Sequence, residues 1–357
     1  MGLPEIDINF KQKAITAINR SQQGVVAIII VDDTDETFDI VEYKSVSEIE
    51  SEKFSVENIA MINDAFLVPI NKLIIARIST TDEFSVGLAL LENKVFDWCS
   101  TTSSLQADQD ALLGWVKTRN LTNSKKAKAV IYNATTSDDM HIVNFTNNAV
   151  KKVIDESSIT GDKYLVRLTA LFAYLSIEQS GTYYKLTDLE SVTEVADSSA
   201  AIDNGELVLI NDEEEVRIGR AINSLTTLDE NLIEDKKSIL IVEAMDLIYY
   251  DIHSNYKNNF LGLYKNSYDN QALFVSSVTG YFKNLEKENI LDPNYFNNAH
   301  IDIEAQLAAW IEDENTEAST WTEQEIKNNV FKNKIFMAAE IKILNAMEDL
   351  TFDITIA

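Results

Sequence analysis

One cysteine, three prolines and ten glycines stand among 357 residues. With Cys99 alone, an internal disulfide is impossible and a thiolate metal site has too few ligands. So little glycine and proline excludes a linker-rich or low-complexity chain, and neither a P-loop nor a G-x-G-x-x-G turn is present. Basic residues are also scarce: 30 Lys and Arg against 58 Asp and Glu leave a net charge of −28. Phosphate binding needs a basic surface, so nucleic acid is excluded as the main partner. The one basic cluster, Lys125, Lys126 and Lys128, is short and is expected to be a solvated loop. Long apolar runs are missing too. The longest, "GVVAIIIV" at 24–31, falls far below the roughly 20 residues of a membrane span, so no membrane insertion is expected. The opening "MGLPEIDINF" is acidic and has no apolar h-region; a soluble chain made in the cytoplasm, without a secretory leader, is expected.

Catalytic signatures are equally sparse. No G-x-S-x-G elbow occurs, and "SNYK" at 254–257 matches S-x-x-K without an S-D-N or K-T-G companion. His141, His253 and His300 are scattered, with none at H-x-x-x-H spacing. His253 is expected at a helix end and His300 in a loop. The acidic runs at 212–215 and 312–317 lack the D-x-[DN]-x-[DN]-G pattern of a calcium loop and are expected to be solvated turns. No cofactor, metal or catalytic residue is singled out. A structural or interaction protein is expected, with an α/β hydrolase using a carboxylate pair as the lower alternative.

What is present is pattern. Apolar, β-branched runs at 25–30, 72–78 and 127–132 predict strands buried on both faces, and a short strand is expected at 94–98. Helical spacing predicts helices at 57–66, 82–93 and 107–120, the last with Leu112, Trp115 and Val116 on its apolar side. Such alternation predicts a mostly parallel sheet covered by helices. Further on, 160–175 reads as a helix, and 206–210 with 215–220 as a hairpin around "NDEEE". Three helices follow at 236–256, 270–291 and 302–315; in the first, Ile241, Met245, Ile248 and Ile252 share a stripe. The fold class expected is α/β, mixed α+β. A strand–helix alternating N-terminal domain comes first, then a smaller C-terminal α+β domain, with β-strand arms at both termini.

Those arms rest on period-two alternation. Ile6, Ile8 and Phe10 share one face of the N-terminal stretch, and Leu350, Phe352, Ile354 and Ile356 one face of the C-terminal stretch. An amphipathic strand is either an edge of its own sheet or an addition to a neighbour's. "KIFMAAEIKIL" at 334–344 alternates as well: Phe336, Ala338 and Glu340 against Met337, Ala339, Ile341 and Ile343.

Seven stretches in order resemble one family: "GLPEIDINF", "NRSQQGVVAIIIVDD", "QSGTYYKL", "RIGRAINSLTT", "AMDLIYYDI", "YKNSYDNQALF" and "LNAMEDLTFDITI". The family is the contractile tail sheath proteins of long-tailed phages and phage-tail-like bacteriocins. The resemblance spans nearly the whole chain and is weakest around 32–57 and 135–158. Ala221 stands where the family usually has Gly, Asn345 where it usually has Asp, and "RLTALFAYL" replaces a more Gly-rich helix.

The resemblance implies a non-enzymatic subunit that polymerises as stacked hexameric rings around an inner tube and contracts to drive that tube through a cell envelope. It implies an N-terminal arm at 1–19, an outer domain at 20–234, an inner, tube-facing domain at 235–345 and a C-terminal arm at 346–357. By the same analogy, Phe336, Ala338, Glu340, Ile341 and Ile343 belong to an arm-receiving strand. Asn345, Ala346, Met347 and Glu348 form a hinge, and Lys283 and Lys287, spaced i, i+4, are candidates for the tube contact. The partners implied are other copies of the chain, the inner tail tube protein, and baseplate and tail terminator proteins. Assembly is expected in the bacterial host cytoplasm, and then residence in a virion tail or a released particle. The sheath of a secretion or extracellular injection system is the alternative within the same architecture.

Overall fold

The computed structural model describes residues 17–356 apart from Asn19, Gln22, Asp155 and Asn231. Ile6, Ile8 and Phe10 therefore lie outside the described residues. The chain forms two compact units. The larger holds Ser21–Tyr250 with the segment from Asn345 onward; the smaller holds Asp251–Leu344 with Ile18 and Arg20.

Seven strands form the main sheet of the larger unit: β1 (Val25–Val31), β2 (Ile40–Tyr43), β3 (Lys72–Ile78), β4 (Trp98–Thr101), β5 (Lys128–Tyr132), β6 (Ile142–Phe145) and, later in the chain, β10 (Glu206–Leu207). Their order is β10-β6-β5-β4-β1-β3-β2, and every pairing is parallel except β2 with β3. The β-branched runs suit this sheet because both faces are covered. Val26, Ile28, Ile30, Leu73, Ile75, Trp98 and Val130 point into one core, shared with α1 (Val56–Ala65) and the almost wholly buried α4 (Leu165–Leu175). Ala27, Ile29, Ile74, Ala76, Cys99 and Ile131 point into the other, shared with α2 (Phe84–Leu91) and α3 (Gln106–Thr122). At Gly87 of α2 an added Cβ would lie 2.6 Å from Ile29 Cγ2, so only glycine lets that helix sit so close.

Beside the main sheet lie three short strands, β7 (Ala149–Lys152), β8 (Ser158–Thr160) and β9 (Leu189–Val192), and, past the short helix α5 (Ser198–Asp203), the hairpin of β11 (Leu209–Asp212) and β12 (Glu215–Ile218). The expected hairpin strand at 206–210 is thus divided. Glu206 and Leu207 join β6, while the Leu209 amide donates to Asn147 Oδ1 at 2.7 Å, which turns the chain into the hairpin. The strand expected at 94–98 begins at Trp98 instead, because the Asp97 carboxylate accepts from the Val25 amide at 2.9 Å and sits at the sheet's end.

The helix α6 (Ile239–Asn259) follows in the chain. The smaller unit contains α7 (Tyr268–Lys287), β13 (Asn298–Ile301), α8 (Ile303–Glu312), α9 (Glu323–Asn328) and β14 (Met337–Glu340). Phe274, Val278, Phe282, Leu285 and Leu291 are buried there, and Trp310 meets the rings of Trp321 and Phe331 edge-on, with centroids 5.9 and 4.9 Å apart. His300 lies in β13 rather than in a loop, and His253 lies within α6.

The basic cluster is not a solvated loop. Lys128 is buried on β5, its Nζ 2.8 Å from Asp246 Oδ2 and 3.4 Å from Glu243 Oε2. Trp98 Nε1 donates to Glu243, and His141 Nε2 lies 3.2 Å from Asp246 Oδ1. Lys125 pairs with Asp97 at 2.6 Å, and Lys126 lies over the Tyr249 ring. Burial disfavours the charge on Lys128, but Asp246 and Glu243 outweigh it and hold the ammonium protonated. Removing that cation would leave the buried Glu243 carboxylate without a cation and Asp246 with His141 alone, a loss of about 3–5 kcal/mol. This network joins the first turns of α6 to the middle of the sheet.

Burial pulls the His141 pKa down, but the bonds to Asp139 and Asp246 prevail and raise it to about 9. A histidine raised above its unfolded value stabilises fully below pH ~6.5 and loses that contribution as pH rises through about 9. Denaturant unfolding of the native chain and of His141→Gln should therefore differ by up to about 3 kcal/mol near pH 6 and converge by about pH 9.5. A difference that does not change with pH contradicts the assignment.

Candidate functional site

The segment from Asn345 to Ile356 forms neither helix nor strand. Its first part is held by the larger unit. Ser180 Oγ and Thr182 Oγ1 donate to Glu348 Oε1 at 3.0 and 2.8 Å. Arg220 donates to Asp349 Oδ1 at 2.6 Å and lies 3.9 Å from Glu348. The Glu348 side chain is 15% exposed and that of Asp349 80%. A hydrogen bond to a charged group contributes about 1.5–3 kcal/mol, an exposed ion pair under about 1 kcal/mol, so Glu348 is the stronger attachment. At Gly181 an added Cβ would lie 3.0 Å from the Phe172 ring and 3.1 Å from the Ala221 methyl, which keeps this loop tight against Ala221. Asn345 Oδ1 accepts from Ser238 Oγ. Together, residues 345–350 line an open groove of about 1320 Å³ with Tyr183, Ile202, Ile222 and Lys237.

Past Asp349 the character changes. Leu350, Phe352, Ile354 and Ile356 are 73–92% exposed, and 350–356 takes part in no strand pairing among the described residues. Four large apolar side chains at alternate positions are left in water, on a stretch whose backbone has no ladder.

The smaller unit has the complementary feature. β14 pairs antiparallel with β13: Asn298 with Glu340, Ala299 with Ala339, His300 with Ala338, Ile301 with Met337. The Asp302 amide donates to Phe336 O. In an antiparallel ladder successive residues alternate between bonding the partner and facing away, so Phe336, Ala338 and Glu340 bond toward β13. The same parity continues. The Lys342 amide donates to Asn297 Oδ1, Asp292 donates to Lys342 O, and Leu344 donates to Ile290 O. The amides and carbonyls of Met337, Ala339, Ile341 and Ile343 therefore face the opposite edge, where no described residue pairs with them. On β13 the far edge is covered, since the Ala299 amide donates to Thr279 Oγ1 of α7 at 3.4 Å.

The expected receiving residues are thus brought together on one continuous stretch. Phe336, Ile341 and Ile343 are half-buried, Glu340 is exposed, and the outward-facing backbone belongs to the odd-numbered positions. Of the expected hinge residues, Asn345, Ala346 and Met347 follow this stretch in the chain, and Glu348 is held by Ser180 and Thr182. Lys283 lies 2.7 Å from Glu286 Oε1 on the exposed side of α7. Lys287 borders a small hollow of about 250 Å³ with Ile18, Arg20 and Tyr281, where Arg20 pairs with Glu288 at 3.1 Å. Ser254 of the S-x-x-K match lies on α6 and accepts from Asn258. Ser180, Thr182 and Arg220 were not picked out as site residues by the sequence, although they lie inside two of the quoted stretches.

A model of the phage tail sheath C-terminal domain matches residues 234–357. The chain is 33% identical to the tail sheath protein of Clostridium phage phiCD119, an alignment covering 98% of each. Among solved structures, its fold is similar to a sheath tail protein from Desulfitobacterium hafniense, with a TM-score of 0.70 at 14% identity over 84% of this chain and 94% of that one. It is also similar to the helical sheath of the anti-feeding prophage in its contracted state, with a TM-score of 0.73 at 12% identity over 99% of each. The chain belongs to the phage tail sheath protein family. The hydrolase alternative gains no support from these comparisons.

The free edge yields a direct test. Ala339→Pro removes one outward donor and leaves the β13 ladder intact. The variant should fold normally by circular dichroism, yet polymerise at least about tenfold less in sedimentation assays, since two or three weakened backbone bonds of about 0.5–1.5 kcal/mol each amount to that factor. Native-like polymer from the folded variant would show that the edge is not used.

Proposed function

We propose that the chain is a non-catalytic sheath subunit that polymerises by lending its C-terminal arm to the open edge of β14 in a neighbouring copy. One observation carries the reading: a stretch of alternating apolar residues at 350–356 without a ladder partner, and an outward-facing backbone edge at 337–343 of the same length. Antiparallel or parallel addition would satisfy both and cover the apolar face. Such a linkage is directional and depends on no single side chain, which suits a bond that has to survive movement of the subunits it connects. Ile6, Ile8 and Phe10 are proposed as a second arm strand acting the same way.

In this reading the rings are hexameric, stack helically around an inner tail tube and rearrange on contraction to drive the tube through a cell envelope. Residues 235–345 are proposed as the inner, tube-facing domain and 20–234 as the outer one. Lys283 and Lys287 are proposed to meet an acidic tube surface, with Lys283 exchanging Glu286 for the partner. Baseplate and tail terminator proteins bound the sheath at its ends. Residues 345–348 are the hinge. Assembly takes place in the bacterial host cytoplasm, followed by residence in a virion tail or released particle. No helix among the described residues is long and apolar enough to cross a membrane. The sheath of an injection system differs only in the particle that the rings join: neighbouring capsid genes indicate a phage, and a neighbouring unfoldase ATPase indicates a secretion system.

Deleting residues 350–357 should leave a folded subunit that forms no rings or tubes in negative-stain electron microscopy. Tubes of normal length from the truncated chain would overturn the proposal.

A further inference from the structure

Three of the stretches that carry the family resemblance, at 179–186, 217–227 and 344–356, meet at one point of the larger unit. Ser180 and Thr182 come from the first, Arg220 and Ala221 from the second, Glu348 and Asp349 from the third. The geometry is that of a built site rather than a chance encounter. The Thr182 amide donates to Ser180 Oγ at 3.1 Å, and the Ala221 amide donates to Thr182 Oγ1 at 2.9 Å. Each hydroxyl thus has an acceptor lone pair engaged by backbone, which leaves its O–H to be directed at another group. Both O–H groups meet on the same Glu348 oxygen. Arg220 then covers the carboxylate of Asp349 from the side.

We propose that Ser180, Thr182 and Arg220 form a clamp that fixes the root of the C-terminal arm to the larger unit and thereby sets the arm's reach. The inference rests on the arm reading above but concerns where the arm starts, not where it docks. On one side of the clamp, Leu344 donates to Ile290 O and Asn345 accepts from Ser238 Oγ, so 346–347 is a tether between two anchors. On the other side, 350–356 begins from a fixed point. At about 3.3 Å per residue, residues 350–356 span about 23 Å beyond the closed clamp; with the clamp open, residues 346–356 span about 36 Å. The clamp therefore selects between a short free arm and a longer one. Met347, fully exposed between the anchors, offers no packing that would resist the change.

The test uses dispersed full-length subunits, below the concentration at which they polymerise, so that it is independent of docking. Nitroxides are attached at Leu350→Cys and at Ser199→Cys on the groove wall; Cys99 is buried and stays unlabelled. Double electron–electron resonance should give a narrow distance distribution in the otherwise native chain. Glu348→Ala should broaden it about twofold or more, as expected for a released tether, and Thr182→Val should do the same from the other side of the clamp. Glu348 lies in an irregular segment, so its replacement does not threaten the fold. A distribution unchanged in both variants, or one already broad in the native chain, overturns the clamp. Loss of the clamp with normal polymerisation would leave the docking proposal standing, and the converse result would reject docking alone.

Discussion

An open strand edge and an apolar stretch without a ladder are each costly in water, and pairing one with the other would satisfy both. β14 is bonded along one side by β13 and by the turn at 290–297, which orients every odd-numbered amide from Met337 to Ile343 outward. The 350–356 stretch presents Leu350, Phe352, Ile354 and Ile356 with nothing of its own strand pairing to cover them. Single backbone bonds contribute little, about 0.5–1.5 kcal/mol, so the proposed linkage would gain strength by repetition along the strand and across many copies.

For such a linkage to transmit force, its foundations have to be stiffer than the arm. In the larger unit they are. The central strands are buried on both faces, α4 is almost wholly enclosed, and the Lys128, Glu243, Asp246 and His141 cluster ties the start of α6 to β5 and, through Trp98, to the start of β4. Buried charges are costly unless fully paired, and here each carboxylate has a cation or an N–H donor in reach. The compliance lies instead at 345–347 and beyond Asp349, where bonds are few and side chains exposed. The high negative charge adds a repulsive term between copies that salt screens, so the arm and its edge work against a background that disfavours close approach.

Much of the fold was legible because local pattern decided it. Residues 72–78 formed the strand their β-branched run indicated, and 25–31 did so with one residue more, since burial on both faces leaves no other use for such a sequence. What was not legible depended on partners far along the chain. Lys128 looked like part of a solvated loop because Glu243 and Asp246 lie more than a hundred residues away. The break at Val208 is made by Asn147, which takes the Leu209 amide across 62 residues. The strand at Trp98 starts late because Asp97 serves the Val25 amide across 72 residues. The candidate site divides in the same way. Alternation marked the apolar positions of 350–356 and a stretch at 334–344 of which Met337–Glu340 forms a strand, but periodicity could not say which edge of that strand is open. Nor could it say that Glu348, read as part of a turn, is held by Ser180 and Thr182.

The central claim is that 350–356 of one copy joins the free edge of β14 in another. Intermolecular thiol cross-linking in the assembled state tests it most directly. Chains carrying a cysteine at one position within 352–356 are mixed with chains carrying Ala339→Cys, assembled and oxidised; the native Cys99 is buried and contributes no background. The account predicts disulfide-linked dimers that require both cysteines and that occur only at alternate arm positions, as strand pairing dictates. Assembled polymer that yields no such dimers at any arm position would contradict it.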